Sequence, residues 1–114
     1  MKKSVIFAVC LLLSAMGISC AFRTSANSFG PYSAAESFFG KGDYPEAIEK
    51  YQEYLAANPR GNMAAVAEYY IGKSYMALGD VAKAGESFER VVTLFPETSW
   101  AEFAKEQLEA LPAV

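Results

Sequence analysis

The sequence predicts an all-α protein: two helix-turn-helix repeats stacked as a short solenoid, closed by a C-terminal capping helix and preceded by a signal-peptide helix. Three observations predict it. Gly, Asp, Ala, an aromatic residue and Pro recur at one offset of 37 residues, as Gly42/Gly79, Asp43/Asp80, Ala47/Ala84, Tyr51/Phe88 and Pro59/Pro96. A period between ~20 and ~50 residues marks a solenoid. Apolar residues inside each unit recur every three or four positions, the spacing of one helical face. The chain also opens with Lys2 and Lys3 followed by 15 uncharged residues, Ser4 to Ile18, the order of an export signal.

That N-terminal element is assigned as residues 1–19. Its apolar run is shorter than the ~20 residues a membrane span needs. It ends at "GISCAF", where Ser19 precedes Cys20. A small residue directly before a cysteine resembles the lipobox of bacterial lipoproteins, although Gly17 stands where a leucine is usual. The resemblance implies that Cys20 is lipidated and becomes the new N-terminus. Ordinary cleavage after Ala21 or Ala26 is the alternative. Cys10 would be discarded with the signal, leaving Cys20 without a partner for an intramolecular disulfide. Residues 20–28 read as a short tether and residues 29–111 as the repeat domain.

Five helices are expected, at 31–40, 44–57, 63–78, 81–94 and 99–111. In the second, Tyr44, Ala47, Ile48, Tyr51, Tyr54 and Leu55 share a face; in the fourth, Val81, Ala84, Phe88, Val91 and Val92 do. Glu46–Lys50 and Glu86–Arg90 are placed for pairing one turn apart on the opposite faces. Gly42 and Gly79 suit the left-handed residue that ends a helix. Asp43 and Asp80 then cap the next one, with Glu46 completing a D-x-x-E pattern. Pro45 fits a first helical turn, and Pro59 and Pro96 stop the second helix of each pair. The third helix is apolar nearly all round, which suits the middle of a stack. Ser99 and Glu102 form a capping box for the last helix, whose Glu102, Lys105, Glu106 and Glu109 solvate the open end.

Glu68-x2-Ile71-Gly72-x2-Tyr75, then Ala84-x3-Phe88, then Pro96 resembles the tetratricopeptide repeat, W-x2-L-G-x2-Y, A-x3-F, P, with only the Trp missing. Pro31-x2-Ala34-Ala35-x2-Phe38, Ala47-x3-Tyr51 and Pro59 form a weaker copy, and a third begins at Ser99 and stops after one helix. The 37-residue period exceeds the family's usual ~34, and the extra residues follow the Pro. The chain is similar to the tetratricopeptide domains of bacterial envelope proteins, of the Tol-Pal-associated coordinator and outer-membrane assembly lipoprotein type. The resemblance implies a right-handed α-solenoid in which Ala47, Tyr51, Gly72, Tyr75, Ala84 and Phe88 are packing positions. It also implies that the first helix of each pair lines a groove, where Tyr32, Glu36, Phe39, Tyr69, Lys73 and Met76 would receive a peptide.

The chain carries 10 Lys+Arg against 13 Asp+Glu and no His. An acidic chain with no basic cluster is a poor ligand for a phosphate backbone, so nucleic acid is not an expected partner. Without histidine, the commonest general base and metal ligand is missing. No catalytic residue, metal site or cofactor is assigned, and an enzyme is not expected. Trp100 is expected to pack on the preceding helix at the start of the cap, with an interface anchor as its alternative role.

Between Thr24 and Gly40 the only charge is Glu36. Phe29, Tyr32 and Phe39 therefore leave the N-terminal end apolar, a second docking surface. These features describe a non-catalytic interaction adaptor of the cell envelope, anchored through Cys20 to the outer membrane and facing the periplasm. It would bind a protein or peptide there, with a second copy of the chain as another partner. The alternatives are an obligate structural subunit of a larger envelope complex and a soluble periplasmic form. Replacing Cys20 with Ser is expected to release the protein from membranes or stall its processing. A variant that fractionates and migrates like wild type would assign the soluble form instead.

Overall fold

Five helices fill the computed structural model, which describes residues 30–112. They are α1 (Gly30–Gly40), α2 (Tyr44–Ala57), α3 (Ala64–Ala77), α4 (Val81–Leu94) and α5 (Ser99–Ala110). The signal segment, Cys20, the tether and Phe29 lie outside the described residues. Each helix packs on the next, and α3 also touches α5. The chain thus alternates between two layers, α1, α3 and α5 on one side and α2 and α4 on the other.

The turns inside the pairs are built alike. Gly42 and Gly79 both have φ +80°, a left-handed value that a side chain makes strained. After α1 the Asp43 N–H donates to the Phe38 carbonyl at 2.9 Å and the Gly42 N–H to the Phe39 carbonyl at 3.0 Å. After α3 the Asp80 N–H donates to Tyr75 at 2.9 Å and the Gly79 N–H to Met76 at 3.0 Å. Both sets are the double closure that satisfies the last free carbonyls of a helix.

The starts of the helices depart from expectation in three places. Asp80 accepts from the Lys83 N–H at 3.1 Å, but Asp43 makes no capping bond. The residue at the third helical position explains the difference. Lys83 draws the Asp80 carboxylate in, with Nζ 3.9 Å away, whereas Glu46 presents a second negative charge to Asp43. The cap of α5 is Thr98, not Ser99. Thr98 is extended, the usual cap conformation, and its hydroxyl accepts from Ala101 at 3.3 Å. Met63 caps α3 from outside the helix.

Two pairings also differ. Lys50 bonds Glu53 at 2.9 Å rather than Glu46. Arg90 leaves Glu86 for Glu68 on α3, Nε to Oε1 at 2.8 Å, and its Nη2 donates to Ser87 at 3.2 Å. Glu68 stands where the repeat pattern has Trp and is buried. A charge in that position is tolerable because it is paired and hydrogen-bonded.

The core forms two clusters. One joins Tyr32 and Ala35 of α1, Ala47, Ile48, Tyr51 and Tyr54 of α2, and Val66, Ala67 and Ile71 of α3. The other joins Ala84, Phe88 and Val91 of α4 to Ala104 of α5. Tyr75 and Trp100 pack against both. Ala47 and Ala84 are each 0% exposed, so their helices approach neighbours with no room for a larger side chain. Gly72 is tighter still: a Cβ there would lie 2.7 Å from Cε1 of Phe88.

The residues that lengthen the repeat are accounted for by Tyr54. Its hydroxyl accepts from the Met63 N–H at 3.3 Å, and a Cβ on Gly61 would come within 2.8 Å of the same oxygen. The linker between the pairs is wrapped around this one phenol.

Two glycines on facing helices should respond oppositely to the same change. Gly72→Ala forces the Phe88 ring to move and is expected to destabilise by about 1–3 kcal/mol. Gly85→Ala would meet only Leu111, at an ordinary 3.5 Å. It should be neutral or stabilise by up to about 1 kcal/mol through helix propensity. Urea unfolding of both variants checks this, and equal effects would contradict the packing.

Candidate functional site

A run of aromatic side chains crosses the layer made by α1, α3 and α5. Phe39 of α1 meets Tyr70 of α3 edge-on, with centroids 5.0 Å apart. Tyr70 and its neighbour Tyr69 both touch Trp100 of α5, at 6.1 and 5.2 Å. Trp100 in turn meets Phe103 edge-on at 5.5 Å. Such offset and edge-on pairs are the favourable arrangements of aromatic quadrupoles. Four of the five are half-buried, while Phe103 is 44% exposed. The face therefore presents rigid apolar area, to which α1 and α3 add the charges of exposed Glu36 and half-buried Lys73.

The helical spacing explains the line. Tyr69, Tyr70 and Lys73 fall three and four positions apart on α3, and Trp100 and Phe103 on α5. Lys73 is half-buried one turn beyond Tyr69 and Tyr70. Glu36, exposed, holds the equivalent place on α1. A pocket of about 170 Å³ opens between α1 and α3, lined by Glu36, Phe39, Gly40, Tyr51 and Tyr70. At the other end of the run, Gln107 and Glu106 lie close to Tyr69.

The residues expected in the groove divide into two groups. Glu36, Phe39, Tyr69 and Lys73 keep accessible surface on this layer. Tyr32 does not: it is 6% exposed and meets Tyr51 and Tyr54 edge-on at 5.7 and 5.5 Å. The first repeat has Pro31 where the pattern places a Trp, and the next residue, Tyr32, is the ring that α1 buries against α2. Met76 packs against the second cluster. With Tyr32 buried and Phe39 held between Tyr44 and Tyr70, these two do not form an open apolar end. Phe29, the third member of that surface, lies outside the described residues.

Of the packing positions, Ala47, Tyr51, Gly72, Ala84 and Phe88 are buried, and Tyr75 is half-buried with the Lys83 ammonium 5.6 Å from its ring centre. Trp100 packs across the layer onto α3 as well as beside α4. Tyr70 and Phe103 are the surface residues that sequence reasoning missed, and it gives Trp100 an interface role only as the alternative to packing. Trp100 and Phe103 stand one turn apart, but their meeting with Tyr69 and Tyr70 spans 30 residues of chain and has no local signal. Among the described residues, no group of three or more His, Cys, Asp or Glu is placed to hold a metal ion. None of the described helices is long and apolar enough to cross a membrane.

Burial raises the tyrosine hydroxyls of this region above their ordinary range. For Tyr32 the desolvation is reinforced by the nearby Glu36 carboxylate. For Tyr51 it is reinforced by neighbouring Tyr32 and Glu36. A folded-state value above the unfolded ~10 means that the folded chain holds these protons more tightly. Their contribution to stability is complete below pH ~10 and is lost as the pH rises from there toward the folded-state values. Alkaline unfolding should therefore be milder in Tyr51→Phe than in wild type. Melting temperatures recorded from neutral pH to above pH ~10 check this, and parallel curves would contradict it.

The protein-family model described as "Tetratricopeptide repeat" matches residues 32–99. No curated protein matches the chain.

Proposed function

The chain belongs to the tetratricopeptide repeat family, and from that premise we propose that it is a non-catalytic interaction adaptor. It binds a protein or peptide partner on the layer formed by α1, α3 and α5. The family is generally a protein-interaction fold, and the observation that carries the reading to this face is the line Phe39–Tyr70–Tyr69–Trp100–Phe103. Aromatic anchors on rigid helices give large contact area for little loss of side-chain freedom, which is why they dominate binding energy.

The location in this proposal comes from the sequence. The basic start, the uncharged run and Ser19-Cys20 support export with a lipid anchor at Cys20. The repeat domain, residues 29–111, would then stand beyond a short tether at the periplasmic side of the outer membrane, among envelope proteins.

Phe103 offers a clean test because its ring is largely outside the core. Phe103→Ser should retain helix content and melting behaviour while lowering recovery of crosslinked partner about fivefold or more, the scale of a hot-spot residue. Undiminished recovery from a folded variant would move the binding surface elsewhere.

A further inference from the structure

We infer that the pocket between α1 and α3 receives a cationic side chain, lysine or arginine, from the partner segment. This rests on the reading of the layer formed by α1, α3 and α5 as the binding face. It adds the chemistry of the side chain received there.

Three features of the pocket carry it. Its walls are aromatic: Phe39 stands edge-on to Tyr70 at 5.0 Å, and Tyr51 is stacked with Tyr70 at 6.2 Å and 18°. Ring faces carry the negative part of the aromatic quadrupole and attract a cation. Glu36 at the rim supplies a full negative charge. It makes no ion pair among the described residues, and the carboxylate has lone pairs to accept from an incoming donor. A volume of about 170 Å³ equals roughly five to six waters, room for a guanidinium or ammonium head but not for a folded element.

Charge complementarity selects this occupant over an apolar one. An apolar side chain would cover the Glu36 carboxylate without pairing it, which is unfavourable. An acidic one would meet both that carboxylate and the ring faces. The only cation on the same face of α3, Lys73, does not line the pocket, and it discriminates between the cases. If Lys73 were the anchor, the partner would be anionic there.

The test uses the full chain in neutral detergent micelles and two capped tripeptides, acetyl-Gly-Arg-Gly-amide and acetyl-Gly-Glu-Gly-amide, followed by amide NMR shifts. The arginine peptide should give saturable shifts at Glu36, Phe39, Gly40 and Tyr70, and the glutamate peptide should not. Glu36→Gln should weaken arginine-peptide binding about twofold to fivefold. Lys73→Gln should leave it unchanged or tighten it. The inference is overturned if the arginine peptide does not saturate, if Glu36→Gln binds it as wild type does, or if the glutamate peptide binds and Lys73→Gln abolishes that. Tighter peptide binding by Arg23→Gln, a change in the 20–28 tether, would also overturn it, since the tether would then be the occupant. Failure here with a positive Phe103→Ser result removes the cation pocket and leaves the binding face standing.

Discussion

The seating of the Phe88 ring against Gly72 is the contact on which the arrangement of α3 and α4 rests. With a Cβ excluded at Gly72, the two helices approach closely enough for the ring to be fully buried. That approach brings Arg90, two residues past Phe88, within reach of Glu68, one turn before Gly72. It also lets α4 offer Ala84 and Val91 to α5. The first pair holds the same positions differently. Ala35 replaces the glycine and Tyr51 the phenylalanine, both buried, so this pair tolerates one more methyl group at its crossing.

Much of this order is written locally. Gly42 and Gly79 specify left-handed turns because few other residues adopt that backbone cheaply. Pro59 and Pro96 end helices because they lack the N–H to continue them. Signals of this kind act within a few residues and are readable at that range. The first repeat shows where local reading runs out. The helical spacing of Tyr32 puts it on the same stripe as Glu36 and Phe39, yet its ring is buried against Tyr51 and Tyr54 of α2.

The candidate site was legible in part for the same reason. Glu36, Phe39, Tyr69 and Lys73 could be placed on one layer because they sit at matching positions of a repeat. Tyr70 could not be separated from the buried residues around it, since the third helix is apolar on nearly every side. The contribution of α5 was hidden by its charged surface, which signals a solvated cap. That description holds for Glu102, Lys105 and Glu109, while Trp100 and Phe103 on the same helix extend the aromatic line. One helix thus serves as both an end and a wall, on faces a few residues apart.

Tyr32, Tyr51 and Tyr54 share their cluster with Val66, Ala67 and Ile71, so the core does not stop where the repeat does. The linker held by Tyr54 adds a polar tie at the same junction. Neither pair can open without baring apolar surface of the other, and the pairs lack the independence that a chain of beads would have. Their hydrogen exchange should then report one cooperative unit rather than two. Such a unit keeps the rings of α1 and α3 in fixed relation, so a ligand spanning both meets a surface already in its bound shape.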